Sequence, residues 1–347
     1  STIYYIQIRK GYVMTERKLA TIRRIAEIKD IDGADAIEAV RVDGWWVVAK
    51  KGEYQVGQLA VYLEVDSWVP TSIASFLTKA GHEPKEFEGV KGERLRTVKL
   101  RGQLSQGLLL PISILPTTTV IEVGNDVTDT LGIVKWERPI SPQLYGQAKG
   151  SFPSFLRKTD QERVQNIGRT LESYIDQTFE VTIKLDGSSC TIFVKDEEDG
   201  VCSRNLELKQ NEDNAFWRIA LEYDIHKKIR AYGKNLAVQG ELIAPNIQSN
   251  YEKVNKPEFY VFDVFDIDKQ EYMLPKERQE FCKLLDIPHV PIVDKSLAMI
   301  DNVDKLLDMA EGDGMNKGVK REGLVFKHNN SEFSFKAISN SYLLKEK

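Results

Sequence analysis

The residues best suited to do chemistry in this sequence lie around Lys184. The segment Phe179-Glu180-Val181-Thr182-Ile183-Lys184-Leu185-Asp186-Gly187 alternates apolar and polar side chains. That period of two predicts a strand with Phe179, Val181 and Ile183 on one face and Glu180, Thr182 and Lys184 on the other. Gly187 then turns the chain into a second strand, Cys190 to Val194. A lysine at a strand end, beside a glycine that lets a ligand approach the backbone, can offer its amine to a phosphate. The pattern Lys-x-Asp-Gly is weak alone, since chance supplies it in roughly one of ten chains this long at average residue usage. A plain hairpin with a surface lysine reads the same way.

The downstream sequence changes those odds. Ser203-Arg204-Asn205 follows the second strand, and Gln239-Gly240-Glu241-Leu242-Ile243 sets a carboxylate on an apolar strand. Phe259 to Phe265 is an aromatic-rich strand, Glu322-Gly323-Leu324-Val325-Phe326-Lys327 joins a carboxylate to a lysine, and Phe333-Ser334-Phe335-Lys336 closes the series. In this order the elements resemble motifs I, Ia, III, IIIa, IV and V of the covalent nucleotidyltransferases, the superfamily of ATP- and NAD-dependent ligases and mRNA capping enzymes. The resemblance spans residues 157–340. Upstream, Arg157-Lys158-Thr159-Asp160-Gln161-Glu162-Arg163-Val164-Gln165-Asn166 is similar to the segment that precedes the lysine in RNA ligases. With a barrel-like domain in front, the chain resembles nick-sealing RNA ligases of the Deinococcus and Naegleria type.

The resemblance implies an ATP-dependent RNA ligase that joins 3′-OH and 5′-phosphate ends through lysyl-AMP and RNA-adenylate intermediates. Its expected catalytic residues are Lys184, Asp186 and Lys336. A free lysine has a pKa near 10.4, so only about one in two thousand is unprotonated at pH 7. No histidine lies near Lys184 in sequence to serve as base. A divalent cation would depress the lysine pKa and stabilise the phosphate charge. Asp186, Glu241 and Glu322 are the expected holders of Mg2+ or Mn2+, through water, and two ions are expected. Arg163, Thr182, Ile183, Arg204, Glu241, Phe262 and Lys327 are the expected ATP or AMP contacts. Among them Phe262 would stack on adenine, Arg204 and Glu241 would meet the ribose, and Lys327 would join Lys336 at the α-phosphate. Thr182 stands where many relatives carry glutamate, which leaves base selection to its hydroxyl or to backbone carbonyls. The first lysine usual in motif V is replaced by Ser334 or Ile338, depending on register.

These residues need a scaffold, and the sequence suggests an α+β one. Residues 14–135 read as an OB-like β-barrel domain of short strands between glycine turns. Val40-Arg41-Val42 and Trp46 to Ala49 flank the tight-turn pair Asp43-Gly44. Arg94 to Arg101 reads as one charged strand, and Ser72 to Ala80 as a helix. Pro139, Pro142, Gly146, Gly150 and Pro153 mark 136–155 as a linker. Residues 156–347 read as an adenylyltransferase domain of mainly antiparallel sheets, with helices near Asp160–Leu171, Asn214–Tyr232 and Lys276–Leu285.

Composition narrows the class without deciding it. Hydrophobic residues make up 41% and charged residues 29% of 347 positions, the balance of a soluble globular protein of about two domains. No apolar run reaches the roughly 18 residues that cross a bilayer, and no signal-peptide pattern opens the chain. An intracellular, soluble protein is expected, with no membrane and no protein partner implied. Cys190, Cys202 and Cys282 have no paired spacing, and His82, His226, His289 and His328 are scattered, so neither a disulfide framework nor a zinc site is expected. The net charge of −4 gives no global field for a polyanion, so RNA, expected as a nicked duplex with a 3′-OH ribonucleotide strand, must meet local patches. The front domain is expected to supply cations, with a second metal ion, to the β- and γ-phosphates. Competing readings are a non-catalytic RNA-binding protein with a degenerate nucleotidyltransferase domain, or another member of the superfamily such as a DNA ligase. A trailing barrel after motif V would mark a DNA ligase or capping enzyme, and 11 residues follow Lys336.

Overall fold

The computed structural model describes residues 17–158 and 160–346, together with the backbone of the strands Tyr5–Ile8 and Gly11–Met14. Thr159 and Lys347, which fall within the motif and domain ranges above, lie outside the described residues.

The front part is built from short antiparallel strands that close around two apolar clusters. Ala20–Arg24, Leu59–Leu63 and Leu108–Pro111 form one sheet, and Glu27–Asp30, Ile37–Val42 and Trp45–Lys50 a second. Ser67–Pro70, Lys85–Phe87, Val90–Arg94 and Val134–Lys135 form a third. Ile22, Val61, Leu63 and Val69 fill one cluster, and Val40, Trp45, Val47 and Tyr62 fill the other. Trp45 is 1% exposed; burying a side chain of that size stabilises the fold by about 4 kcal/mol as an upper bound.

The charged stretch Arg94 to Arg101 is not one strand. Arg94 ends Val90–Arg94, and Thr97–Leu100 pairs with Gln103–Gln106 as a separate ribbon turned by Arg101 and Gly102, both at positive φ. Ser72–Ala80 holds only the 3-10 turn Ser75–Leu77; Ile73, Ala74 and Leu77 reach the core from in and beside this short turn, and a stretch this brief does not repay the cost of helix nucleation.

The back part is a pair of sheets facing each other. One is seven-stranded and contains Ser188–Lys195, Leu236–Ile243 and Glu258–Asp266 as neighbours. The other is five-stranded, in the order Glu162–Arg163, Ser334–Ile338, Gly323–His328, Thr178–Lys184, Ile292–Ala298, with only the first pair parallel. Ala148–Ser151, inside the stretch read as linker, is the edge strand of the larger sheet.

Of the three helical windows, Pro275–Leu285 forms as expected. Asn214–Tyr232 is two helices, Ala215–Glu222 and Ile225–Tyr232, broken at Asp224 in the left-handed region. Asp160–Leu171 is a two-residue strand, a 3-10 turn and one short helix, Gly168–Leu171. Its Val164, Ile167 and Leu171 have helical spacing and reach the same core, but only Leu171 does so from α-helical backbone.

Front and back parts are tied at Asn166. Its Oδ1 accepts from Arg23 Nη1 and Trp45 Nε1, both at 2.7 Å, and its Nδ2 donates to Glu64 at 2.7 Å and Glu162 at 2.8 Å. Four partners use the full capacity of the amide. Nearby, Gly44 N donates to Gln165 O at 2.9 Å, and a Cβ at Gly44 would lie 2.7 Å from Gln165 Cα. The Asp43-Gly44 turn therefore needs its glycine for contact, while the positive φ of the turn falls on Asp43.

Candidate active site

The strand Thr178–Lys184 lies in the middle of the five-stranded sheet. Register sets Phe179, Val181 and Ile183 with His328, Phe326 and Leu324 on one face, and Glu180, Thr182 and Lys184 with Lys327, Val325 and Gly323 on the other. Past Lys184 the chain crosses to the other sheet at Gly187, where a Cβ would sit 2.4 Å from Leu242 O. That contact admits glycine alone and seats the crossing against the strand carrying Glu241.

Lys184 Nζ donates to Glu322 Oε2 at 2.8 Å. Asp186 is fixed by two groups the sequence did not single out: its backbone N donates to Glu252 Oε1 at 3.2 Å, and Tyr342 Oη donates to its Oδ2 at 2.9 Å. Lys184 opens onto a cavity of about 520 Å³ between the sheets and the front part. Lys184, Asp186, Lys336, Arg163, Thr182, Ile183, Arg204, Glu241, Phe262, Lys327 and Glu322, the whole expected set, line this one space.

Within it their settings differ. Lys336 Nζ donates to Asp160 Oδ1 at 2.6 Å. Arg163 is 5% exposed, with Nε and Nη2 free of hydrogen-bond partners and its guanidinium 5.2 Å from the Trp45 ring centre. Thr182 is buried and Phe262 half-buried. Lys327 is engaged: its Nζ donates to Asp263 Oδ1 at 2.8 Å and to the carbonyl of Phe262, and its strand position faces Glu180 rather than Lys184. Arg204 is half-exposed beside Glu137 and Asp160. From the front part and the segment after it, Arg17, Arg94 and Lys135 line the same cavity. Arg94 is held by Asp66 at 2.7 Å and Glu346 at 3.4 Å and lies 3.8 Å from the Trp136 ring centre.

Comparison with known proteins agrees with this geometry. An RNA ligase family model matches residues 177–338, and an OB-fold domain model matches residues 19–112. A solved structure of a Naegleria gruberi RNA ligase mutant, free of ligand, is 49% identical over 95% of this chain and 98% of its own, with a TM-score of 0.90. The chain belongs to the RNA ligase family. A Naegleria gruberi RNA ligase mutant with ATP and Mn is 48% identical, and the RNA ligase with PPi 49% identical, each over 95% of this chain and 99% of its own with a TM-score of 0.90. No curated protein sequence matched. The reading of a front OB-fold followed by an α+β ligase domain stands, and the readings as a degenerate binding protein or a DNA ligase are not favoured.

The charges around the ligase's Lys184 are unbalanced. Burial alone would lower its pKa, but Glu322, Glu241 and Asp186 outweigh burial and hold it above the ordinary lysine value. Burial pushes Glu241 up to about 8, against the pull of Lys184, and raises Glu322. Burial also raises Glu252 to about 7, with its Oε2 left without a partner. One ammonium among four carboxyl groups leaves room for further positive charge. Among the described residues no three His, Cys, Asp or Glu side chains stand close enough to grip a metal ion directly. The donor set suits a hard divalent cation held through its own water, as Mg2+ prefers.

Proposed function

We infer that this ligase seals RNA at nicks, joining a 3′-OH to a 5′-phosphate through a covalent adenylate on Lys184. The class is not in doubt: it is an ATP-dependent RNA ligase that forms phosphoester bonds. The observation that carries the mechanism is a strand-end lysine ringed by carboxyl groups in a cavity that Arg17, Arg94, Lys135, Arg163 and Lys336 also line. Residues 14–135 are proposed as the OB unit, 136–155 as the connection and 156–347 as the adenylyltransferase unit.

In the first step the Lys184 amine forms a P–N bond to the α-phosphate of ATP and pyrophosphate leaves. The amine must first lose its proton, and the 2.8 Å pair with Glu322 opposes that loss until the carboxylate is engaged elsewhere. Asp186, Glu241 and Glu322 are proposed to hold a Mg2+ or Mn2+ ion through water, which when bound supplies the positive charge that favours the neutral amine. Lys336 and Arg163 are proposed phosphate contacts, Arg204 and Glu241 ribose contacts, and Thr182, Ile183 and Phe262 the base pocket. Lys327, engaged by Asp263, is proposed to steady the strand of Phe262 as well as to face the phosphate. Arg17, Arg94 and Lys135 are proposed to meet the β- and γ-phosphates with a second ion. The RNA 5′-phosphate then takes the adenylyl group from Lys184, and the 3′-OH attacks that phosphate and expels AMP.

Radiolabelled ATP tests the reading. The full-length protein should retain label on a denaturing gel, and Lys184→Ala should retain none while still sealing a nick that already carries a 5′-adenylate. An acid-labile adduct on the Lys184→Ala protein would show that another residue is the nucleophile.

A further inference from the structure

The cations of the cavity are not bare. Asp160 Oδ1 accepts from Lys336 Nζ at 2.6 Å, while its Oδ2 lies 3.6 Å from Lys135 Nζ and 4.0 Å from Arg204 Nη2. These cations reach one carboxylate from separate places: the strand Ser334–Ile338, the strand Val134–Lys135 and the loop after Glu198–Cys202. Glu137 repeats the arrangement from the outside, at 3.5 Å from both Lys135 and Arg204. Asp160 is the acidic partner within ion-pair distance of Lys336 among the described residues. It sits where polyphosphate oxygens would have to sit to use the same cations.

We propose that Asp160, seconded by Glu137, is an internal stand-in for the phosphates of ATP, covering Lys336 and Lys135 until nucleotide displaces it and covering Lys135 again when pyrophosphate leaves. The proposal rests on the ATP reading above and adds a competitor built into the chain. Physical reasons run both ways and meet in this role. Lys336, Lys135, Arg204 and Arg17 gathered in one enclosed space repel one another, so an empty cavity needs an anion to stay assembled. Once a polyphosphate enters, a carboxylate in contact with the same ammonium repels it, so the two anions exclude each other. A carboxylate that re-covers Lys135 after the first step opposes rebinding of pyrophosphate, and so opposes reversal of the lysyl-AMP bond.

The alternative is that Asp160 stays in place and aims Lys336 at the phosphate. The two roles predict opposite changes. With full-length protein, titration calorimetry at pH 6.5 would measure inorganic pyrophosphate and, separately, adenosine against wild type, Asp160→Asn and Glu137→Gln. The pH is chosen because burial pushes Lys336 down to about 8 even with Asp160 beside it; the ammonium must stay charged in the variant. A stand-in predicts pyrophosphate binding about tenfold tighter in Asp160→Asn and about threefold tighter in Glu137→Gln, with adenosine affinity moved less than about twofold. Pyrophosphate binding that is unchanged or weaker in both variants overturns the proposal. Should Asp160→Asn lose adenosine binding through misfolding, the outer variant Glu137→Gln, 41% exposed, decides alone. Wild-type protein that binds no pyrophosphate and takes no label from ATP would instead refute the ATP reading itself.

Discussion

Replacing Glu322 by glutamine sets two effects of one carboxylate against each other. Glu322 lies 2.8 Å from Lys184 Nζ, and among the charges around that amine it contributes most to holding the proton. At an effective dielectric of about 20, a pair at that distance is attractive by about 6 kcal/mol before screening. The lysine side chain is 28% exposed, and screening leaves about 2 kcal/mol, between one and two units of pKa. If Glu322 did nothing but hold the proton, Glu322→Gln would raise the fraction of free amine about 10–100-fold and speed adenylylation by as much. If it holds the water shell of the divalent cation, the variant loses roughly 10–100-fold in metal affinity or activity, and the cation's larger effect on the amine goes with it. We expect the second outcome: slower single-turnover labelling of Lys184 by ATP and a half-saturating Mn2+ concentration shifted upward at least tenfold. Glutamine keeps the shape and can still accept from Lys184, so the fold should survive, as a melting curve would show. A variant that labels faster than wild type at pH 7, with the same metal requirement, refutes the metal-holding role of Glu322.

The other expectations concern the front part, the exposed ribbon and the scaffold. Arg17→Ala with Lys135→Ala should depress labelling by ATP at least tenfold more than sealing of a pre-adenylylated nick, whose leaving group is AMP; equal losses in both assays would leave these cations a general RNA-binding role. Arg96 and Lys99 are exposed on the ribbon while Arg94 is enclosed by Asp66, Glu346 and Trp136, so neutralising Arg96 and Lys99 should lower the salt slope of nick binding by between one and two. An unchanged slope makes them ordinary surface charges. Arg278 pairs with Glu180 through two bonds of 2.9 and 2.8 Å with both side chains buried, and Arg278→Ala should cost about 3–5 kcal/mol in urea denaturation by leaving a buried carboxylate without its paired guanidinium. Burial would raise Glu180, but Arg278 overrides it and holds the carboxyl down to about 2. Its pairing therefore stabilises the fold above the ordinary carboxyl range and is lost as pH falls from about 4.5 toward 2, a dependence that Arg278→Ala should remove.

Local rules made the Lys184 strand readable. Alternation from Phe179 to Lys184 and the glycine after Asp186 are properties of adjacent residues, and the structure uses both as read. The partners of those residues were less readable, because they come from far along the chain. Tyr342 reaches Asp186 across 156 positions and Glu252 across 66, and nothing near either residue signals the contact. Lys327 shows the limit in another form: its place after Glu322 was visible, but its face depends on register, and register sets it opposite Glu180. The Asp160–Leu171 window held only at its end, because Val164, Ile167 and Leu171 satisfy a helical period that the chain adopts only from Gly168. Asp160 then looks like a helix-surface charge in sequence, whereas in space it is bound to Lys336.

Phosphates can be met from both sides only if the barrel is fixed relative to Lys184, and two separate ties fix it. On one side Asn166 joins Arg23, Trp45 and Glu64 of the barrel to Glu162, immediately before Arg163 of the cavity wall. On the other, the helix Asn340–Lys345 receives Gln106 Nε2 at Asn340 Oδ1 (3.3 Å), while Glu346 beyond it pairs with Arg94. That same helix carries Tyr342, whose hydroxyl donates to Asp186 two residues from the nucleophile. A shift of the barrel would therefore move the loop after Lys184 as well as the cations that line the same cavity, through hydrogen bonds with little slack. If Arg17, Arg94 and Lys135 meet the leaving pyrophosphate as proposed, the barrel belongs to the geometry of the first chemical step, because those groups and the group that steadies Asp186 hang from one connected frame.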